Sequence, residues 1–223
     1  FVANPLVRNI IGQPRSAANI RQIMDEGKIL IVNLSRGQVG EDNAAILGAL
    51  MVTKIQLAAM SRADIPETER KPFYLYVDEF QNFATDSFAV ILSEARKYGL
   101  NLTVANQYIS QMPETVRDAV FGNVGTMISF RVGPGDATVV APYFEPAFEA
   151  ADITRLNNRH IFISMIIDGE KSIPFSASTL MLPAPEHDQT PKLIELSRER
   201  YASQKADVEE EIRRWAGDEL FGD

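Results

Sequence analysis

The chain has 223 residues, 45% of them hydrophobic, so it is long and apolar enough to bury a core, and disorder is excluded as its main state. Its formal net charge of −8 leaves no global basic field to attract nucleic acid, so any contact with a polynucleotide has to be local. The sequence has no cysteine and only two histidines, which excludes disulfides, thiolate metal sites and cysteine nucleophiles and disfavours a histidine zinc site.

The first third of the chain predicts a helix, a strand and a second helix. Apolar residues at helical spacing before Gly27 predict a helix over residues 16–26. The apolar run 29–32 predicts a strand buried on both faces of a parallel sheet. Residues 41–60 predict one long helix that is apolar on most of its circumference.

That long helix contains the longest apolar stretch of the chain, residues 44–52. A membrane span needs roughly 20 such residues, so the sequence predicts a buried helix and no transmembrane segment. No basic-then-apolar leader follows Phe1, so no secretory signal is expected.

The alternation of strand and helix continues from residue 73 onward. The predicted elements are a strand over 73–77, a helix over 86–98, a strand over 100–105, a helix over 114–121 and a strand over 127–132. Such alternation is typical of an α/β layered fold with a mainly parallel sheet, whose ligands bind beyond the carboxyl ends of the strands.

The last part of the chain predicts a hairpin, a linker and a helical tail. Segments 159–167 and 172–176 flank an Asp-Gly turn and predict a β-hairpin. Residues 182–191 contain several prolines and predict a linker. The charged segment 192–220 has sparse apolar positions, so it predicts one amphipathic helix that packs poorly within its own chain.

The residues that carry chemistry begin where the strand 73–77 ends. Five apolar residues are followed there by Asp78 and Glu79, so two adjacent carboxylates are expected at the ligand-binding edge of the sheet. One of them can hold hydrated Mg²⁺ while the other polarises a water molecule. This is the Walker B pattern with a catalytic glutamate. The alternative is a strand that simply exits into a solvated acidic turn.

Gln107 follows the next apolar strand, one helix away from the acidic pair. In P-loop motors of the glutamate-catalysed class, the neighbouring strand ends in a polar residue that contacts the γ-phosphate and the attacking water. Gln107 fits that position and is a candidate sensor residue. The alternative is a glutamine that satisfies backbone groups in its own turn.

Four segments carry a family resemblance: YVDEFQNF at 76–83, EARKYGL at 94–100, ANQ at 105–107 and GNVGT at 122–126. Together they resemble the type IV secretion coupling proteins of the TraG/TraD kind, conjugative DNA-transfer ATPases within the HerA/FtsK superfamily. The resemblance covers roughly residues 29–179. It implies a RecA-like P-loop NTPase fold, α/β with a mainly parallel sheet and flanking helices, incomplete at its N-terminus and followed by an amphipathic helix.

The same resemblance implies how the chain is divided. Residues 1–181 are expected to form the C-terminal part of a motor domain, 182–191 a linker and 192–223 a charged helical tail. The phosphate-binding motif G-x-x-x-x-G-K-[ST] does not occur in the sequence, and in this family it lies upstream of the segments seen here. The chain alone is therefore expected not to hydrolyse ATP.

Two arginines are candidates for a finger that reaches a neighbouring subunit's nucleotide. The resemblance implies this role for Arg96, although the family usually has Gly-Arg where this chain has Ala95-Arg96. Arg131 is the second candidate, because related motors differ in the arginine they use. The alternative for Arg96 is a helix-end cation that interacts with the helix dipole, worth about 0.3–1 kcal/mol.

The resemblance also implies an activity and partners. The intact protein is expected to be a homohexamer that uses ATP and Mg²⁺ to move DNA or nucleoprotein through a type IV secretion channel at the cytoplasmic face of the inner membrane. Alternatives with the same fold are an ATPase that powers type IV pilus assembly or protein secretion, and a HerA-like DNA translocase. An alternative of another class is a non-catalytic interaction module.

Overall fold

The computed structural model describes residues 4–216, in which helices predominate and strands are short. The helices are α1 Pro5–Ile11, α2 Ile20–Glu26, α3 Arg36–Val39, α4 Glu41–Met60, α5 Asp86–Glu94, α6 Glu114–Asn123, α7 Pro134–Val140, α8 Ala150–Thr154, α9 Thr190–Tyr201 and α10 Lys205–Ala216. The strands are β1 Phe73–Val77, β2 Leu100–Val104, β3 Met127–Ser129, β4 His160–Ser164, β5 Ile166–Ile167, β6 Glu170–Lys171 and β7 Phe175–Ser178.

Two compact units make up the described chain. The first combines residues 4–73 with 184–216, and the second is Tyr74–Pro183. The division into motor segment, linker and tail that the sequence suggested assigns roles within a motor, and it stays a prediction. The first three residues of the chain and its last seven lie outside the described residues.

Helix α4 has the bounds that the sequence predicted. Gly40 precedes it at φ 83°, a conformation that glycine adopts without strain, and Glu41 and Asp42 in the first turn complement the helix dipole. Residues buried along the helix include Ala44, Gly48, Val52, Ile55, Ala58 and Ala59. Among the described helices, Glu41–Asp64 is long and apolar enough to cross a membrane, a test that the core helix of a soluble protein also passes.

The apolar run 29–32 is not a strand, so the prediction of a strand buried on both faces is wrong. Ile29 is 90% exposed and Ile31 is 80% exposed, and the segment has no regular secondary structure. The physical reason is that a strand exists only where another strand pairs with its backbone. Within residues 4–216 no strand pairs with this run, and its composition alone could not show that.

The predicted tail helix is two helices, α9 and α10, separated at residues 202–204; residues 217–220 of the prediction lie outside the described residues. The prediction that the tail packs poorly is wrong for α10, because Val208 is 5% exposed and Ile212 only 1% exposed. Ile212 lies over Gly12, next to α1, where an added Cβ would come within 2.9 Å of the Ile212 side chain. Trp215, in contrast, is 62% exposed.

Helix α10 is also joined to α1 by a polar contact, which makes its packing sensitive to acid. Asn9 Nδ2 donates to Glu209 Oε1 at 3.0 Å. This hydrogen bond, together with the charges of Lys205 and Arg8, lowers the pKa of Glu209 below its ordinary value. The contact therefore stabilises the fold above the ordinary glutamate pKa of about 4.3, and this contribution is lost as the pH falls through the lowered pKa.

We expect Asn9→Ala to flatten the pH dependence of stability below pH about 5, because the donor that lowers the pKa of Glu209 is removed. Melting temperatures measured from pH 3 to 6 check this. Asn123→Ala is the matched control, since Asn123 donates to the Ala119 carbonyl and to no carboxylate. An unchanged slope in Asn9→Ala would contradict the assignment.

In the second unit, β1 and β2 are neighbours in a two-stranded parallel sheet. Helix α5 joins them and passes into a 3₁₀ segment, Ala95–Tyr98. The predicted helix 86–98 is therefore an α-helix followed by a turn of 3₁₀-helix. Gly99 then turns the chain at φ 73° into β2. This crossover brings the ends of β1 and β2 to the same edge, as predicted.

The remaining strands pair differently from the prediction. β3 pairs antiparallel with β4, and β4 with β7, while β5 and β6 form a small hairpin. The hairpin turn lies at Asp168 and Gly169, both at positive φ, as the Asp-Gly dipeptide predicts. Residues 4–216 thus contain one parallel pair and antiparallel sheets rather than a mainly parallel sheet. Alternation alone could not show that β3 pairs with a strand that follows it.

Candidate functional site

The site is built on the turn that follows β1. Val77 and Phe80 are buried, Asp78 is exposed, and Glu79 between them is half-buried. Glu79 has φ 50° and ψ 43°, a left-handed conformation that is uncommon for a residue with a side chain. Its backbone N–H donates to Asp78 Oδ1 at 2.9 Å. The turn therefore places two adjacent carboxylates directly after the end of β1.

Glu79 and Gln107 are brought into direct contact, although 28 residues separate them in the chain. Gln107 Nε2 donates a hydrogen bond to Glu79 Oε1. Both residues follow strands that run in the same direction and lie side by side. The sequence predicted this juxtaposition, and the structure bears out its geometry.

Gln81 also contacts Glu79, and the sequence did not predict this contact. Its Nε2 donates to Glu79 Oε2 at 2.6 Å, so each oxygen of the Glu79 carboxylate accepts from a different glutamine. Gln81 stands inside the YVDEFQNF segment, but its spacing from Glu79 predicts contact only if the turn geometry is known. The left-handed backbone of Glu79 is what the sequence did not reveal.

Phe80 fixes the turn to the protein interior. Its side chain is 0% exposed and meets the Phe88 ring edge to face, with centroids 4.5 Å apart. Its backbone N–H donates to the Ala105 carbonyl at 2.9 Å, and the Ala105 N–H donates to the Val77 carbonyl at 2.9 Å. The backbones that carry Glu79 and Gln107 are therefore joined directly.

The two candidate finger arginines are not joined to this cluster. Arg96 lies exposed in the 3₁₀ segment after α5, and among the described side chains no carboxylate forms an ion pair with it. Arg131 is exposed beyond β3, and its Nη2 donates to Asn158 Oδ1 at 3.2 Å. Neither guanidinium contacts Glu79 or Gln107 in the described structure.

The oxygen ligands at the turn suit only an indirect contact with Mg²⁺. Asp78 is an exposed carboxylate with one oxygen engaged by the Glu79 backbone, which leaves acceptor positions for the water shell of a hydrated ion. Among the described residues, no group of three or more acidic or histidine side chains could hold a metal directly. Asp78 thus fits a metal that keeps most of its waters.

The site lies within the segment that a known family matches. Residues 72–141 match the family model described as the TraM recognition site of TraD and TraG. This match supports the interpretation of the chain as the C-terminal region of a conjugative coupling protein. No curated protein matches the chain closely enough to count as a relative. All five predicted site residues, 78, 79, 96, 107 and 131, fall inside the matched segment.

Proposed function

We propose that this chain is part of the ATP-driven motor of a conjugative coupling protein, with a RecA-like fold completed by residues outside this sequence. The observation that carries the proposal is the contact between Glu79 and Gln107 at the ends of neighbouring parallel strands. In phosphoryl transfer to water, catalysis consists mainly of positioning and electrostatic stabilisation. A carboxylate restrained next to an amide donor suits the positioning of a water molecule.

Each residue has a distinct role in this proposal. Bound Mg²⁺ would neutralise charge on the phosphates of ATP. Asp78 holds the water shell of that ion, and Glu79 orients the attacking water. Gln107 has two Nε2 hydrogens, one of which is on Glu79, so the other is able to donate to a γ-phosphate oxygen. Arg96, or else Arg131, serves the nucleotide of the next subunit in a homohexameric ring.

The proposed cargo is DNA or nucleoprotein moved into a type IV secretion channel. The description of the matched family as part of TraD and TraG supports this choice over a pilus-assembly ATPase or a HerA-like translocase. The chain's net charge of −8 restricts contacts with DNA to local surfaces.

The test of the proposal is Glu79→Gln in the motor that includes the phosphate-binding loop. We expect turnover to fall by about 10²–10⁴, the usual contribution of a residue that moves or orients the reacting proton, while ATP binding is retained. Turnover and ATP affinity are measured on the same preparation. Glu114→Gln is the control, since Glu114 lies in the matched segment, is 81% exposed and pairs with Arg117.

Near-normal turnover in Glu79→Gln would reject the catalytic role. The chain of 223 residues alone is expected to show no turnover, because the phosphate-binding motif does not occur in it. Turnover of 1–100 s⁻¹ by the chain alone, the range typical of phosphoryl-transfer enzymes such as kinases, would contradict this account.

A recognition module is the second candidate, and the name of the matched family favours it. A segment described as a TraM recognition site would bind a TraM-like partner without chemistry of its own. Titration of the chain with the TraM protein of the same conjugation system, followed by calorimetry, tests this. Binding that is unchanged in Glu79→Gln would separate the recognition surface from the catalytic turn.

A further inference from the structure

Gln81 holds one oxygen of the Glu79 carboxylate, and Gln107 holds the other. The Gln81 Nε2 atom lies 2.6 Å from Glu79 Oε2, within hydrogen-bond distance. Each carboxylate oxygen has about two lone pairs, so both oxygens keep an acceptor position for a further ligand. Rotation of the carboxylate about its last bond would break both contacts.

The backbone around Gln81 has little freedom. Gln81 lies in the middle of a 3₁₀ turn, Phe80–Asn82, whose first residue is fully buried and bonded to the Ala105 carbonyl. Gln81 is therefore attached to the interior through the buried Phe80 next to it, whereas Gln107 is exposed beyond the end of β2. If Gln107 turns towards another acceptor, the contact from Gln81 remains.

The oxygen atom of the Gln81 side-chain amide lowers the stability of the fold. Its Oε1 is buried and has no hydrogen-bond partner among the described residues. A buried acceptor left unsatisfied costs about 1–3 kcal/mol, which is comparable to the gain from a hydrogen bond to a charged group. The two contributions roughly cancel, so stability does not explain a glutamine at this position.

We propose that Gln81 is a positioning residue that keeps the Glu79 carboxylate in the orientation required to direct the attacking water. This inference rests on the proposed function, since it assigns Gln81 to the same site. In this proposal Gln107 donates to both Glu79 and the γ-phosphate, whereas Gln81 donates to Glu79 alone. Gln81 itself touches neither the water nor the nucleotide.

The contact is tested first on the chain itself, without ATP. We expect Glu79→Gln to shift the side-chain amide signals of Gln81 and Gln107 in ¹⁵N-edited NMR spectra, because both lose a carboxylate acceptor. Gln22 is the internal control, since its Nε2 donates to Glu26 Oε1 at the same distance of 2.6 Å elsewhere in the chain. An unshifted Gln81 signal would overturn the proposed contact, whatever the protein's activity.

The role is tested with Gln81→Met, which keeps the length of the side chain and removes the donor. In the motor that includes the phosphate-binding loop, we expect kcat to fall about tenfold, equivalent to about 1.4 kcal/mol, with KM for ATP unchanged within about twofold. The melting temperature should stay within about 2 °C, because the lost bond and the relieved buried oxygen offset each other. Gln22→Met, which removes a bond of the same kind outside the site, should leave both kinetic constants unchanged.

Three results would separate the explanations. If Glu79→Gln abolishes turnover but Gln81→Met does not lower kcat, the positioning role fails and the proposed function stands. If Gln81→Met lowers the melting temperature and changes kcat and KM together, its role is structural and the inference fails. If the role is correct, Gln81→Met added to Glu79→Gln causes no further loss, because the group that Gln81 positions is already gone.

Discussion

Arg96→Ala is expected to lower ATP turnover of the assembled motor by about 10³–10⁵ while folding and ATP binding stay nearly intact. Arg96 is exposed and forms no ion pair with a described side chain, so its removal leaves no buried partner behind. The 3₁₀ segment that carries it passes through Gly99 into β2 and so towards Gln107. A guanidinium at the position of Arg96 is able to neutralise negative charge on a neighbouring subunit's γ-phosphate. Turnover and nucleotide affinity of the variant are the measurements.

The size of the loss distinguishes this role from interaction with the helix dipole, which would contribute only about 0.3–1 kcal/mol. Lys97→Ala is the matched control, because Lys97 is the next residue and is also exposed. Its Nζ atom lies 3.4 Å from Glu94 Oε2, so it forms a local ion pair. Arg96→Ala subunits mixed with Glu79→Gln subunits should recover part of the turnover, since some interfaces then contain an intact arginine and an intact glutamate. Near-normal turnover in Arg96→Ala would reject the assignment and make Arg131 the next residue to test.

Phe80→Ala is expected to lower the free energy of unfolding by about 3–5 kcal/mol, the usual cost of removing a buried aromatic side chain. Phe80 is fully buried against Phe88, and its backbone joins the turn to the residue after β2. Urea denaturation followed by circular dichroism measures the effect. The loss should also loosen the Glu79 turn, because the ring fixes its position.

The control for Phe80→Ala is Phe130→Ala, since Phe130 is 51% exposed and leaves a smaller cavity. Its substitution should cost less than about 1 kcal/mol, as surface changes usually do. If the two variants lose equal stability, Phe80 is not the anchor of the turn.

Local sequence patterns predicted the elements whose causes are local. Helix α4 has the predicted bounds: Gly40 precedes it, and its residues stay mostly apolar as far as Met60. Strand β1 and the acidic pair after it follow from five apolar residues in succession. The Asp-Gly turn at 168–169 follows from the positive φ that this dipeptide accepts.

The candidate site was predictable only in part. Asp78, Glu79 and Gln107 follow apolar strands, so their meeting at one edge required only that β1 and β2 be parallel neighbours. The role of Gln81 could not be inferred, because its contact depends on the left-handed backbone of Glu79. A dihedral angle of one residue depends on its tertiary surroundings, and the residue directly after Glu79, Phe80, is fully buried.

The sequence by itself determined the bounds of α4, the strands β1 and β2 and the polar residues that follow them, and that the chain is acidic and lacks cysteine. The tertiary structure alone decided that residues 29–32 form no strand, that β3 pairs antiparallel with β4, and that Ile212 packs over Gly12. Each of these depends on a partner distant in the chain: Ile212 meets a glycine 200 residues earlier, and a strand requires another backbone to accept its hydrogen bonds. Periodicity reports which face of an element is apolar, and only the folded chain decides what covers that face.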